Sequence, residues 1–384
     1  MTDRPLRVAI LGHSAKLSGA ELSLVELVAA FEDVEPLVLL AESGPLVERL
    51  EQAGAEVEVL PLRREARLVR RDQLRAGPFG LLSAGAATAA YAARLARRLR
   101  GLHVDLVHAN TLKALFYGGA ATQLERKPLV WHAHDRISQD YLPRAAVRLV
   151  RGVARTTAEG VIANSSATLA TLGRLRRPAT VIPEPVRHQA FGERRTRNGE
   201  PFVAAMVGRI APWKGQDVFL RAFAGAFPDG DERAVILGAP LFGEEPYERA
   251  LRALVGQLEL GDRVELRGFT DDVAGELAQV DALVHASVIP EPFGRVIVEG
   301  MAAGLPVVAA AGGGPDEIVT ESVDGLLYPP GDVDELAAAL RRVATDAGLA
   351  ERLGSAAVER ARAFSPELAA AQTSAFYRRV LEAA

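Results

Sequence analysis

Short apolar runs of four to seven residues recur along the whole chain, and most are separated by segments in which apolar positions return every third or fourth residue. The first periodicity predicts strands, the second amphipathic helices. In the first half the strands fall at LRVAIL (6–11), PLVLLA (36–41), AEVEVLP (55–61), VDLVHA (104–109), PLVWHA (128–133), GVIA (160–163) and TVIP (180–183). The pattern restarts with FVAAMVG (202–208), RAVILG (233–238), RVELRG (263–268), DALVHA (281–286), PVVAA (306–310) and GLLYP (325–329). Runs this short, joined by helices of about ten or more residues, predict parallel sheets with crossover connections. The fold class is therefore α/β, and the restart predicts two doubly wound domains. A chain of 384 residues, about twice a typical domain, agrees with that count. The junction is expected in the polar, turn-rich IPEPVRHQAFGERRTRNGEP, Ile182–Pro201.

One segment departs from this plain alternation. EPFGRVIVEGMAAGLPVV, Glu291–Val308, is apolar almost throughout, yet holds two carboxylates, Glu291 and Glu299, with seven residues between them. After Gly294 the pattern predicts a short buried helix, with Gly304 placed to end it and Pro306 to stop it restarting. A carboxylate in such a helix is costly to desolvate without hydrogen-bond donors, and Arg295 is the one cation close to it in sequence. Glu299 therefore either takes a local partner or serves a ligand. It lies roughly 8 Å along the axis from the helix start. An anion held by the free N–H groups of that first turn would leave the next group of a nucleotide, its ribose, beside Glu299.

Composition narrows the function classes. With 49% hydrophobic residues the chain fills two cores, and with no cysteine it has neither disulfides nor thiolate-held metal. A cytoplasmic location is expected. MTDRPLRVAI enters a strand-like run without an apolar signal region, and no run reaches the ~18 to 20 apolar residues of a spanning helix. The net charge of −4 conceals an asymmetry: residues through Pro185 carry 25 Lys and Arg against 19 Asp and Glu, the remainder 20 against 30. Much of the positive excess sits in RREARLVRR (Arg63–Arg71), Arg75 and RLARRLR (Arg94–Arg100). Such runs serve either as a solvated face or as a surface for an anionic acceptor or acidic membrane, the latter making the protein peripheral at the inner membrane surface. Nucleic acid is not expected as a partner, because no aromatic residues interleave the arginines.

In doubly wound folds ligands sit beyond the carboxyl ends of the strands. After the first strand of the second half, VGRIAPWKGQD (Val207–Asp217) places Gly208, Arg209, Lys214 and Gly215 on one strand-to-helix loop, a clamp suited to a phosphate. Lys214 is one of only four lysines in an arginine-biased chain. In the first half, GHSAKLSGAE (Gly12–Glu21) is a polar loop leading into a helix; Ser14 stands where a dinucleotide fingerprint needs its second glycine, which disfavours a nicotinamide enzyme. WHAHD (Trp131–Asp135) ends another strand with His132 and His134, either of which can bind a hydroxyl or shuttle a proton. A zinc site is not expected, since no further His or Cys cluster accompanies them.

GRIAPWKG, followed about eighty residues later by EPFGRVIVEGMAAGLPVVAAAGGGPDEIV, resembles the retaining glycosyltransferase family 4 of the GT-B fold. SGAELSLVEL resembles that family's acceptor loop, and GFTDDV (Gly268–Val273) its base-proximal loop. The resemblance implies two Rossmann-like domains facing across a cleft: acceptor-binding residues 1–185, nucleotide-sugar-binding residues 186–365, and a final helix, 366–384, packing back toward the first domain. It implies transfer of a sugar from a nucleotide-diphosphate donor, such as a UDP-sugar, to a hydroxyl acceptor in a bacterial cell, with no cofactor and no metal. The catalytic set would be Arg209 and Lys214 on the diphosphate, Glu291 on the donor sugar and His132 beside it. Gly208, Phe269, Phe293, Gly294, Arg295, Val296 and Glu299 would complete the donor site, with Glu299 on the ribose. Lys16, Gly19, Glu21 and His134 would meet the acceptor. Two departures affect substrate details: Glu184-Pro185 replaces a common Asn-Gly pair, and GAPLFGEEPY replaces a shorter glycine turn. A sugar-nucleotide epimerase or hydrolase of the same fold, or a non-catalytic sugar-nucleotide-binding protein, are the alternatives.

Overall fold

The computed structural model describes residues 4–62, 78–187, 199–241 and 243–383. They form two compact units, one of Met1–Pro185 together with Pro366–Ala384, the other of Val186–Ser365. All thirteen predicted strands are present, with ends shifted by up to two residues.

The first unit is a seven-stranded parallel sheet in the order β3-β2-β1-β4-β5-β6-β7. Its strands are β1 (Leu6–Gly12), β2 (Val34–Leu40), β3 (Glu56–Val59), β4 (Leu106–Ala109), β5 (Leu129–Ala133), β6 (Gly160–Ala163) and β7 (Ala179–Val181). Helices α1 (Gly19–Ala29), α2 (Pro45–Gln52), α3 (Pro78–Gly101), α4 (Leu112–Glu125), α5 (Arg144–Thr157) and α6 (Ser166–Thr171) connect them. Central strands buried on both faces must be apolar at successive positions, as LRVAIL and PLVWHA are. Leu37, Leu39, Leu95, Leu99, Leu115 and Trp131 fill one core of this unit.

The other core of this unit, around Ile10, Val38, Val130 and Ile162, includes Phe376, Tyr377 and Val380. These come from the last helix of the chain, Pro366–Ala383. Gly160 makes room for it: a Cβ there would stand 2.6 Å from Val380 and 2.9 Å from Phe376. The Tyr377 hydroxyl lies 2.7 Å from His108 Nδ1 on β4, and Arg378 and Ser374 both donate to Asp33.

The second unit is a six-stranded parallel sheet in the order β10-β9-β8-β11-β12-β13. Its strands are β8 (Val203–Val207), β9 (Arg233–Leu237), β10 (Val264–Gly268), β11 (Ala282–His285), β12 (Val307–Ala310) and β13 (Leu326–Tyr328). The helices used below are α7 (Gln216–Ala226), α8 (Glu245–Gln257) and α10 (Arg295–Ala302), with α9 (Val273–Leu277) between the last two. Helix α10 is the buried helix predicted after Gly294: Ile297, Val298 and Met301 are fully enclosed, each burial being worth about 1.5 to 3 kcal/mol. Gly304, at φ 72°, ends it in the left-handed conformation expected there.

Candidate active site

Strands β8 and β11 are neighbours in the sheet although β9 and β10 separate them in sequence. The chain leaves β8 in one direction and returns on its other side, which is a topological switch point and leaves a crevice at the strands' carboxyl ends. Two loops leave the sheet there. The first runs from Gly208 through a short turn, Pro212–Lys214, to Gly215 at φ 74°. A Cβ on Gly215 would lie 2.0 Å from the Ala286 carbonyl oxygen, so glycine lets this loop rest directly on the chain leaving β11. The Val288 amide then donates to the Trp213 carbonyl at 3.0 Å.

This contact brings Lys214 to Glu291. The ammonium donates to both carboxylate oxygens, at 2.9 and 3.0 Å. Ser287 Oγ donates to Glu291 at 2.6 Å, and His285 Nε2 stands 3.4 Å away. Burial alone would push the Glu291 carboxyl up; Lys214, His285 and Ser287 outweigh it and hold the group well below the usual carboxylate range. Arg209 lies with its guanidinium 5.3 Å from the centre of the Trp213 ring, and Lys214 Nζ is 4.4 Å from the same ring. Arg209 Nε is 3.5 Å from a Glu244 oxygen, in the loop that replaces the shorter glycine turn. Gln216 holds the Arg209 carbonyl at 2.9 Å.

At the start of α10, Gly294 has φ 110°, a conformation costly for any residue with a Cβ. Phe293 before it is buried, its ring 5.8 Å from that of Phe364. The Phe293 side chain is thus a core group, and only its backbone is left for the donor role assigned to it. Glu299 takes the local partner: Arg295 Nε donates to Glu299 Oε1 at 2.9 Å. Val296 is half-buried, and Phe269, after β10, is 58% exposed. The segment is backed by Gly312–Gly314, which bridges to it: Glu291 N donates to Gly312 O at 3.2 Å and Gly314 N to Glu291 O at 2.9 Å.

In the first unit the switch point lies between β1 and β4. Beyond it, His13 Nδ1 meets Thr111 Oγ1 at 3.0 Å, and burial, aided by the charge of Lys113, pushes this imidazole down to about 4. Glu21 is buried in the first turn of α1 with the Ser18 hydroxyl donating to it; burial pushes its carboxyl up. His134 lies between two partners, Glu184 Oε1 at 3.1 Å from Nδ1 and Asn110 Oδ1 at 3.2 Å from Nε2. Glu184 also accepts from Asn164 at 2.9 Å and Ser23 at 3.2 Å.

His132 stacks on His134, with ring centroids 4.0 Å apart, and meets the edge of His108 at 5.4 Å. It is 4% exposed, and neither ring nitrogen has a hydrogen-bond partner. Burial first, then the neighbouring His134 and His108, holds it neutral, well below the ordinary imidazole value. Leaving such a group unsatisfied costs about 1 to 3 kcal/mol. The other expected acceptor residues of this loop, Lys16 and Gly19, are exposed.

Of the predicted basic patch, Arg63–Arg75 lies outside the described residues. Arg94–Arg100 is described and is largely consumed internally: Arg98 pairs with Glu58 at 2.8 Å, Arg100 with Glu125 at 2.8 Å, and Arg94 donates to the Pro61 carbonyl. Among the described residues no group of three or more His, Asp or Glu is arranged to hold a metal ion.

Site residues absent from the sequence reading are Ser287, His285, Glu244, Gln216, Asn110, Asn164 and Gly312–Gly314. The three successive glycines before Pro315 were the available signal, since only close backbone approach requires such a run.

Comparisons with known proteins give the family. Residues 189–360 match the family model described as Glycosyl transferases group 1, and residues 46–190 match that of Glycosyltransferase Family 4. A D-inositol 3-phosphate glycosyltransferase of Kribbella flavida is 36% identical over 189 residues, 48% of this chain and 45% of that protein, so the match spans under half of its length. The enzyme of the same description from Actinosynnema mirum is 32% identical over 368 residues, 86% of this chain and 87% of that one. Among solved structures, the Anabaena protein HepE in complex with UDP and glucose superposes with a TM-score of 0.84 at 30% identity, covering 97% of this chain and 99% of that one.

Proposed function

The chain belongs to glycosyltransferase family 4, and from that premise we propose that it moves a hexosyl group from a nucleotide-diphosphate sugar to a hydroxyl acceptor with retention of anomeric configuration. The observation that carries this reading is the contact of Lys214 with Glu291 at the β8/β11 crevice. A cation suited to a leaving phosphate and a carboxylate suited to sugar hydroxyls are held together, as the two ends of a sugar phosphate require. UDP is the favoured nucleotide, supported by the likeness to HepE, which is described with UDP and glucose and with UDP-glucose.

Cleavage of the sugar–diphosphate bond develops negative charge on phosphate and positive charge on the anomeric carbon. Two of the three Lys214 N–H donors go to Glu291, leaving one for a phosphate oxygen. Arg209 and the free amides of α10 after Gly294 supply the remainder, preorganised donors of this kind being worth about 3 to 4 kcal/mol each. Glu291, kept ionised, accepts from sugar hydroxyls and faces the developing positive charge. Arg295 engages one oxygen of Glu299 and leaves the other for the ribose hydroxyls. For retention, the departing phosphate oxygen takes the acceptor proton on the face where the acceptor attacks. The charge is met by these protein donors, and no metal is invoked.

For the acceptor, an anionic hydroxyl compound is supported by the relatives named for D-inositol 3-phosphate. The reading extends to a cytoplasmic reaction with the protein peripheral at the inner membrane surface. No described helix is long and apolar enough to cross a bilayer.

The test is a calorimetric panel of UDP, GDP and ADP, then incubation of the tightest nucleotide's hexose conjugates with and without hydroxyl acceptors, reading product anomers by NMR. Sugar transfer with the donor's anomeric configuration, unaffected by a chelator and reduced ~10²-fold or more in Arg209→Ala, is expected. Donor consumption that ignores the acceptor would make the protein a hydrolase or epimerase, and an inverted product would remove the retaining step.

A further inference from the structure

We propose that the outward face of α5, with the loop between α6 and β7, is a docking surface for an anionic lipid bilayer. The inference rests on the membrane-surface reading of location given above, and moves the contact away from the arginine runs that suggested it.

Four arginines of α5, Arg144, Arg148, Arg151 and Arg155, are spaced by four, three and four residues, which sets them in one stripe along the helix. Val147, Val150 and Ala154 form the buried stripe that attaches α5 to its unit. The remaining arc carries Ala145, Leu149, Gly152 and Thr156, all exposed, with Leu149 at 58%. The helix is thus apolar on two sides, and among the described residues only the side of Val147, Val150 and Ala154 is covered.

The loop packs against the arginine stripe. Arg155 Nε donates to the Arg174 carbonyl at 3.0 Å, and Arg151 donates to the carbonyls of Ile137 at 3.0 Å and Thr171 at 2.5 Å. Arg174 and Arg176 extend the positive surface from there, both exposed. Between Tyr141 and Pro178 the chain carries seven arginines and one acidic residue, Glu159, which is taken by Arg177 at 3.0 Å. Among the described residues no carboxylate pairs with Arg148, Arg155, Arg174 or Arg176. This contrasts with Arg98 and Arg100, whose charges are answered within the unit.

A surface of unanswered arginines around an exposed leucine fits a bilayer better than an acidic protein or nucleic acid. Leu149 and the small Ala145 and Gly152 present a smooth apolar strip able to enter the acyl boundary, while the guanidinium groups stay at the level of anionic headgroups. Each basic residue close to such a surface adds to binding, and the effect is screened within a Debye length of ~8 Å at physiological salt.

The experiment is co-sedimentation of the full chain with phosphatidylcholine vesicles, with or without phosphatidylglycerol as about a third of the lipid. The wild type is expected to sediment with the anionic vesicles and not with the neutral ones, and to be released as salt rises. Arg148→Glu with Arg174→Glu is expected to lower partitioning ~10-fold or more, and Leu149→Ser to lower it at unchanged charge. UDP affinity, measured on each variant, should match the wild type, which separates loss of the surface from misfolding. Wild type that stays in the supernatant at low salt, variants that partition like wild type, or binding to heparin without binding to anionic vesicles would each overturn the surface. Sugar transfer to a soluble acceptor in the absence of lipid is a separate readout: it tests the transferase reading and is expected to be unaltered in these variants.

Discussion

Lys214 and Glu291, 77 residues apart in the chain, neutralise one another through two hydrogen bonds of 2.9 and 3.0 Å. The clamp therefore contributes less net positive charge to a diphosphate than its two cations suggest, because Arg209 also has a carboxylate, Glu244, at 3.5 Å. The pair nonetheless decides how Glu291 titrates.

With Lys214 present, Glu291 titrates below its unfolded value. Its contribution to stability is then complete only about one pH unit above the unfolded value of 4.5, and is lost progressively as pH falls below that value. In Lys214→Met, burial acts without its main counterweight, and the carboxyl is expected to titrate above the unfolded value, which reverses the sign. The deficit of the variant is expected to be about 3 to 5 kcal/mol near neutral pH and to shrink on acidification toward about pH 5, as Glu291 takes up its proton. Denaturant unfolding at both pH values checks this; a deficit independent of pH would show that the ion pair does not govern Glu291.

The two carboxylates of the Glu-x7-Glu segment have different surroundings and should fail differently. Glu299, held by Arg295 alone among the described contacts, is assigned to the ribose, so Glu299→Gln should weaken binding of UDP itself by ~10-fold. Glu291→Gln should bind UDP nearly as wild type and lose ~10²-fold in transfer from the sugar-bearing donor. Calorimetry together with initial rates separates them, and the opposite pattern would exchange the two roles.

Gly314 and Gly331 distinguish crowding from backbone strain. Gly314 has φ −60°, yet a Cβ there would stand 2.1 Å from the Phe293 carbonyl oxygen and 2.3 Å from its Cα. Gly331 has φ 80° with open space around it. Gly331→Ala should cost about 1 to 2 kcal/mol and leave donor affinity unchanged. Gly314→Ala should cost about 3 kcal/mol or more and also raise the donor KM, because it displaces the start of α10. Equal effects on KM would mean that the glycine run does not position the helix.

The strands were legible because each is apolar at successive positions and bounded by turn residues, and α10 because Gly304 and Pro306 mark its end. The partner of Glu299 was legible too, since Arg295 lies one helical turn before it. The Lys214–Glu291 contact was not, because it depends on β8 and β11 becoming neighbours, a property of strand order and not of local pattern. The histidine cluster was half legible: His132 and His134 share one strand end, whereas His108 joins through the adjacent strand and is fixed by Tyr377, 269 residues away. Glu184 stood out in sequence only as a departure from the expected Asn-Gly pair. Its bonds to His134, Asn164 and Ser23 give it a place that the pattern could not supply.

The final helix has a consequence for the order in which the molecule is made. Phe376, Tyr377 and Val380 complete a core of the first unit, but a ribosome delivers them after every residue of the second. Domains usually fold as their residues emerge, the earliest first. Here Gly160 keeps a site open on β6, and His108 Nδ1 lacks its Tyr377 partner, until Pro366–Ala383 has emerged. The second unit has all its residues while the first is still unfinished, so the half of the chain that emerges first is the last to close.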